Sequence, residues 1–151
     1  PEQDVFLMRS SISLPFLAIA FLLSACISDS KLSVIDPYYV FHNNCSKVWM
    51  VNHCIKDGKN HAPLSQKYKE IITFHESRNC YVQRMNTFGD ERGRMGTFSV
   101  NGKLKTLTID FEDNKKWKFT IKFLSHTKII LVPLNDTSEY TLELIPVPEP
   151  S

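Results

Sequence analysis

Residues 116–124 read Lys-Trp-Lys-Phe-Thr-Ile-Lys-Phe-Leu. Trp117, Phe119, Ile121 and Phe123 fall on one side of an extended chain, and Lys116, Lys118, Thr120 and Lys122 on the other. Successive side chains of a strand point to opposite faces, so this is a strand with one dry face and one wet face. Such one-sided strands belong to antiparallel sheets, because parallel strands are usually buried on both sides. The same alternation sets Leu107, Ile109 and Phe111 against Thr106, Thr108 and Asp110. It also sets Tyr140, Leu142 and Leu144 against Thr141 and Glu143.

Outward from this stretch, eight strand-like runs of similar length follow one another, at 47–55, 68–75, 80–88, 95–100, 104–111, 116–124, 128–134 and 139–145. Turn residues separate them, and Asn101-Gly102 is the strongest short hairpin signal. Most connections span two to five residues, which makes sequence neighbours antiparallel neighbours. The long one, 56–67, separates the first two runs. After Trp49 no stretch has a helical period. A meander of one-face-buried strands exposes two edges unless the first strand pairs with the last, and closure removes both. The predicted fold is all-β, an eight-stranded antiparallel up-and-down barrel, with an N-terminal signal helix ahead of it. Eight strands enclose room for side chains or for one small ligand.

The other strong signal lies upstream, in residues 8–26, MRSSISLPFLAIAFLLSAC. Arg9, an apolar run from Leu14 to Leu23 and small residues before Cys26 have the order of a secretory signal peptide. The run is shorter than the ~20 apolar residues a membrane span needs. Translation is expected to start at Met8, with Pro1 to Leu7 upstream of it. The predicted organisation is a leader (1–25), a tether and N-terminal segment (26–46), the barrel (47–146) and a Pro-rich tail (147–151). Within the tether, Val34, Ile35 and Tyr38 to Phe41 form an apolar patch around Pro37, which reads as a short helical turn plugging one end of the barrel.

Lys and Arg number 18 against 16 Asp and Glu, a net charge of +2. Loss of Glu2, Asp4 and Arg9 with the leader leaves the rest one unit more positive. That charge is mild and spread along the chain, so nucleic acid is not an expected partner. Beyond Cys26, Cys45, Cys54 and Cys80 are irregularly spaced, without the Cys-x-x-Cys of a zinc or thioredoxin-like site. Three thiols, or one disulfide and a free thiol, are both open readings.

Two resemblances add to this. Leu23-Ser24-Ala25-Cys26 resembles the bacterial lipobox, which implies an acylated Cys26, a membrane anchor and a place in the bacterial cell envelope. Ile27, in place of the Asp type of retention signal, points to the outer membrane. Residues 47–145 resemble the lipocalin-like lipoproteins of Bacteroidota. The resemblance rests on the Trp49 strand, the long first loop, Ile71-Ile72-Thr73-Phe74, Gly96-Thr97-Phe98-Ser99-Val100, Leu107-Thr108-Ile109 and Ile129-Ile130-Leu131. It implies a barrel that binds a small hydrophobic ligand. Lipocalins proper carry Gly-x-Trp on the first strand and cover that Trp with a basic residue from the last. Here the first slot is Lys47-Val48-Trp49, and residues 140–148 contain no basic side chain.

The candidate ligand-binding residues are Trp49, His53, Tyr81, Gln83 and Trp117. Strict alternation puts Trp49, Val51, His53 and Ile55 on one face. An inward His53 is either a head-group anchor or a core histidine satisfied by a neighbour. On the third run, Tyr81, Gln83 and Met85 face inward, or Val82, Arg84 and Asn86 do. Many aromatics compete for the interior, so a filled barrel and an open one both fit. No paired carboxylates, phosphate loop, nucleophile elbow or metal-ligand spacing is present, and neither catalysis nor a cofactor is expected. The leading expectation is an anchored lipoprotein binding a small apolar or amphipathic molecule at the barrel mouth near the 56–67 loop. The alternatives are a solid-core module that binds an envelope protein partner and, behind it, an inhibitor or accessory subunit of an envelope machine.

Overall fold

A computed structural model describes residues 36–90, 93–134 and 139–148. The signal helix and residues 26–35, Cys26 among them, lie outside the described residues. The described chain belongs to one compact unit. It opens with a helix, α1 (Pro37–His42), followed by β1 (Ser46–Lys56), β2 (Lys59–Asn60), β3 (Glu70–His75), β4 (Asn79–Arg84), β5 (Arg94–Asn101), β6 (Thr106–Phe111), β7 (Lys116–Leu124), β8 (Ile129–Pro133) and β9 (Tyr140–Pro146). All described strand pairings are antiparallel. Sequence neighbours pair from β3 to β9, β1 pairs with β3, and β1 also pairs with β9. The eight expected strands thus form the closed up-and-down barrel that their alternation implies, and β2 is a two-residue flap on β1.

The Asp57-Gly58 turn makes that flap, with φ of 51° and 72°. Two consecutive positive φ values match the right-handed twist of the flanking strands, and glycine adopts its own without strain. Asn101-Gly102 does begin the β5–β6 hairpin, but through a longer turn. Asn101 Oδ1 accepts a hydrogen bond from Leu104 N at 3.0 Å, and Lys105 takes the positive φ instead. The third expected run, 80–88, is shorter in the fold. Its ladder stops at Arg84 and a 3-10 turn over Met85–Thr87 follows.

The two ends of the barrel differ. One end receives α1, whose start is set by Pro37 at its first turn and by Asp36 Oδ1 accepting from Tyr38 N at 2.9 Å. It stops at Asn43, which is left-handed at φ 53°. Phe41 is fully buried and packs edge-on against Phe74, with ring centroids 5.0 Å apart. Trp49 Nε1 donates to Phe41 O at 3.0 Å, and Tyr38 OH donates to Glu76 O at 2.8 Å. The expected plug is therefore present. Burying Phe41 contributes about 1.5–3 kcal/mol by transfer from water. Lys47 completes this end. Its ammonium lies 4.2 Å from the Trp49 ring centroid and donates to His126 O at 2.6 Å. The cation over the tryptophan is thus supplied two residues upstream of it, not from the last strand. Partial burial draws the pKa of Lys47 below its usual value.

Inside, Trp49, Ile72, Phe74, Cys80, Phe98, Leu107, Ile109, Phe119, Ile129, Leu131 and Leu144 are all at most 2 % exposed and pack as one core. Gly96 belongs to a close approach between β5 and β6. A Cβ there would sit 2.7 Å from Asp110 O, so the strands could not keep this spacing around a larger residue.

Candidate functional site

The opposite end of the barrel carries the 57–69 connection and stays open. A cleft of about 440 Å³ enters the interior there. Val51 and Leu142 supply apolar surface from the barrel wall, and Ala62, Pro63 and Tyr68 border it from the loop. The polar groups are Cys54, His61, Glu70 and Arg84. This places the cleft beside the long first loop, at the mouth, as expected. Phe41, Trp49, Phe74 and Phe98 fill the closed half, and Phe111, Trp117 and Phe119 take up part of the open half, beside the cleft.

An irregularity in β1 decides which side chains reach the cleft. The register with β9 runs Val51 to Leu144, then His53 to Glu143 and Cys54 to Leu142, leaving Asn52 as an extra residue. One extra residue in a two-fold pattern exchanges the faces beyond it. His53 therefore points outward, against the expectation that it shares the face of Trp49, and Ile55 turns outward with it. Cys54 turns inward instead. His53 Nδ1 donates to Glu143 Oε1 at 2.9 Å, and Asn52 Nδ2 donates to the same oxygen at 3.0 Å. The Asn52 hydrogen bond, followed by that of His53, holds the Glu143 carboxyl below its usual range. On the other side of the bulge, Lys69 Nζ donates to Asn52 O at 2.9 Å and to Asn52 Oδ1 at 2.8 Å. The bulge thus ties down the end of the 57–69 connection. Asn60 Oδ1 ties down its beginning, accepting from Cys54 N at 3.1 Å and Ala62 N at 3.0 Å.

Glu70 and Arg84 lie directly opposite each other on β3 and β4. Neither forms an ion pair among the described residues. Together they offer an acceptor and a forked donor beside apolar surface, which suits a small molecule with an apolar body and one polar end. Burial, with the charge of Glu70 second, pushes the Cys54 thiol above its usual pKa, partly offset by Lys56. The thiol is therefore protonated at neutral pH and contributes a weak donor, not a nucleophile. No group of three metal-ligating side chains occurs among the described residues.

The other sequence-derived candidates sit elsewhere. Trp49 is fully buried at the plugged end, where it holds α1. Tyr81 and Gln83 face outward, because Cys80 and Val82 take the interior positions of β4. The two line an outer groove of about 430 Å³ with Val48, Thr73 and Phe88. That groove matches the cleft in size but lies on the barrel wall, with no continuity to the interior. Trp117 is at the open end, in a neighbouring hollow of about 210 Å³ shared with Phe119, Pro133 and Tyr140. Its ring meets Phe111 edge-on at 4.7 Å. Arg94 covers Phe111 at 3.6 Å and is fixed by two hydrogen bonds to Asp113, of 3.1 and 3.0 Å. The fold does not bring the five candidates together. Sequence reasoning passed over Cys54, His61 and Glu70. The signal for Leu142 was its alternation in β9, and for Arg84 the second facing of its strand.

The three described cysteines are free thiols, with Cys45 exposed, Cys54 intermediate and Cys80 buried. Burial pushes the Cys80 thiol up to about 12. Comparison with protein-family models, with curated proteins and with solved structures finds no match to this chain.

Proposed function

We propose that this protein is a lipocalin-like lipoprotein, anchored in the bacterial cell envelope through acylated Cys26, whose barrel binds a small apolar or amphipathic molecule. The observation that carries the ligand reading is the 440 Å³ cleft in the open mouth of a barrel whose other end is plugged. That volume lies within the ~300–1,000 Å³ typical of small-molecule sites. The ligand's apolar part would lie against Val51 and Leu142 and its polar end at Glu70 and Arg84. Nothing in this scheme requires bond breaking, and the protein acts by equilibrium binding. The anchor rests on the order of charge, apolar run and small residues before Cys26.

Native mass spectrometry of the protein purified from its own host tests the binding. A retained small molecule, released on denaturation, is the expected result. An empty protein, or one that co-purifies with a protein partner alone, would replace this reading with that of an interaction module. The anchor has a separate test. Cys26→Ala is expected to abolish lipid attachment and shift the protein out of the membrane fraction, and unchanged fractionation would remove the anchor from the proposal.

A further inference from the structure

The inner faces of β3 and β4 continue to the mouth of the barrel. On β3, Phe74 and Ile72 face the core, and Glu70 is next on the same side. On β4, Cys80 and Val82 face the core, and Arg84 is next. The register sets Glu70 directly opposite Arg84, so a carboxylate and a guanidinium stand side by side where the apolar wall ends. Asp110 and Lys116 make the same kind of cross-strand pair on β6 and β7, and they close to 2.7 Å. Glu70 and Arg84 have the longer reach, yet they do not close on each other. Neither side chain forms an ion pair or a hydrogen bond among the described residues. The charge of Glu70 acts on the Cys54 thiol, which lines the same cleft. Lys69 and Glu143 are engaged at the Asn52 bulge, and the cleft itself is lined by one carboxylate and one guanidinium.

We propose that the guest of this cleft is a zwitterionic amphiphile, an apolar body with an ammonium group and a carboxylate or phosphate close together at one end, the ammonium meeting Glu70 and the anion meeting Arg84. The proposal rests on the reading of the cleft as a ligand site and specifies the head group. A guanidinium binds a carboxylate or phosphate through parallel N–H donors, and a carboxylate accepts from an ammonium. A guest with an anion alone would meet Arg84 but also the like charge of Glu70. A guest with a cation alone would meet the same two groups in the reverse sense. Attraction and repulsion then offset each other. An uncharged guest would strip water from both groups and pair neither. A zwitterion pairs both, while Val51 and Leu142 receive its apolar body. Because water reaches the mouth and screens each pair, the two charges act mainly on selectivity, and apolar contact supplies the affinity.

Titration calorimetry on the full chain tests this with probes of one chain length, namely 2-aminodecanoic acid, decanoic acid, decylamine and decanol. Cleft binding is the part of the signal that Leu142→Trp removes, which sets aside uptake elsewhere. At neutral pH, 2-aminodecanoic acid is expected to bind at least about fivefold tighter than each of the other three. Glu70→Gln is expected to erase its advantage over decanoic acid, and Arg84→Gln its advantage over decylamine, each leaving the other advantage in place. Both residues are exposed at the mouth, so neither change is expected to disturb the fold. Two further probes distinguish the sources of such a head group. Leucine binding as tightly as 2-aminodecanoic acid would assign the guest to free apolar amino acids, and tighter binding of lysophosphatidylethanolamine would assign it to single-chain lipids. Either result upholds the class. Equal binding of the first four probes, tighter binding of one that lacks either charge, or a preference unmoved by both substitutions would overturn the head-group inference and leave the cleft as a site for apolar ligands. Binding of no probe at all would overturn the ligand reading together with it.

Discussion

Glu143 shows how one side chain carries a pH dependence. Its Oε1 accepts from both Asn52 and His53, so the folded protein favours the carboxylate and its pKa falls below the ordinary 4.5. The corresponding stability is fully present above the unfolded value and is lost as pH drops through the lowered folded value. The urea midpoint of the wild type is therefore expected to fall between about pH 5 and pH 3 more steeply than that of Glu143→Gln. Parallel slopes would show that the pair contributes nothing. The thiols give a second outcome at this scale. Cys45 is exposed, whereas Cys80 is buried among apolar groups with its pKa pushed up to about 12. Alkylation of the native protein at pH 8, followed by peptide mass spectrometry, is expected to label Cys45 at least about tenfold faster than Cys80.

At the scale of elements, alternation was a reliable guide wherever a strand kept its two-fold period. Leu107, Ile109 and Phe111 on β6, and Leu142 and Leu144 on β9, face where their spacing says. It failed at two places where a strand holds one residue too many. Asn52 turns His53 and Ile55 outward in β1, and a register shift between Ile121 and Phe123 leaves Phe123 46 % exposed on the outer face of β7. Nothing local in either stretch announces the extra residue, because a bulge is set by how two strands must bend to close the barrel. The cleft-facing positions past Asn52 were illegible for that reason, although the cleft's place beside the long connection was not. Asn52 also has an energetic consequence. Asn52→Ala removes one of the two acceptors of the buried Lys69 ammonium and one donor to Glu143. A loss of about 1–3 kcal/mol is expected, with faster amide exchange across 61–69 than elsewhere. Protection unchanged over that stretch would mean that the connection is held by other contacts.

For the whole molecule, the division into a plugged half and an open half separates the side chains that hold the fold from those that line the cleft. Side chains of the plugged half are packed on all sides, whereas Leu142 is only partly buried and borders the cleft. Leu142→Trp is expected to occupy the cleft and abolish retention of a small molecule in native mass spectrometry. It should shift the thermal midpoint far less than Phe41→Ala, which leaves a void under α1 and costs about 3–5 kcal/mol. A Leu142→Trp protein that still carries a bound molecule would place the ligand outside this cleft.

Closure of the barrel also fixes when the domain becomes complete. β9 is the last of the described strands, and Trp49 with Pro146 and Val51 with Leu144 join it to the first, across almost the full length of the fold. Contacts so distant in sequence form late, because loop-closure entropy must be overcome before they yield any stabilisation. Until β9 arrives, β1 and β8 each present an unpaired row of backbone groups to any neighbouring chain. The interval between synthesis of the first strand and docking of the last is thus the period of greatest exposure to aggregation, and any helper protein acting on the nascent chain would have those two edges to cover.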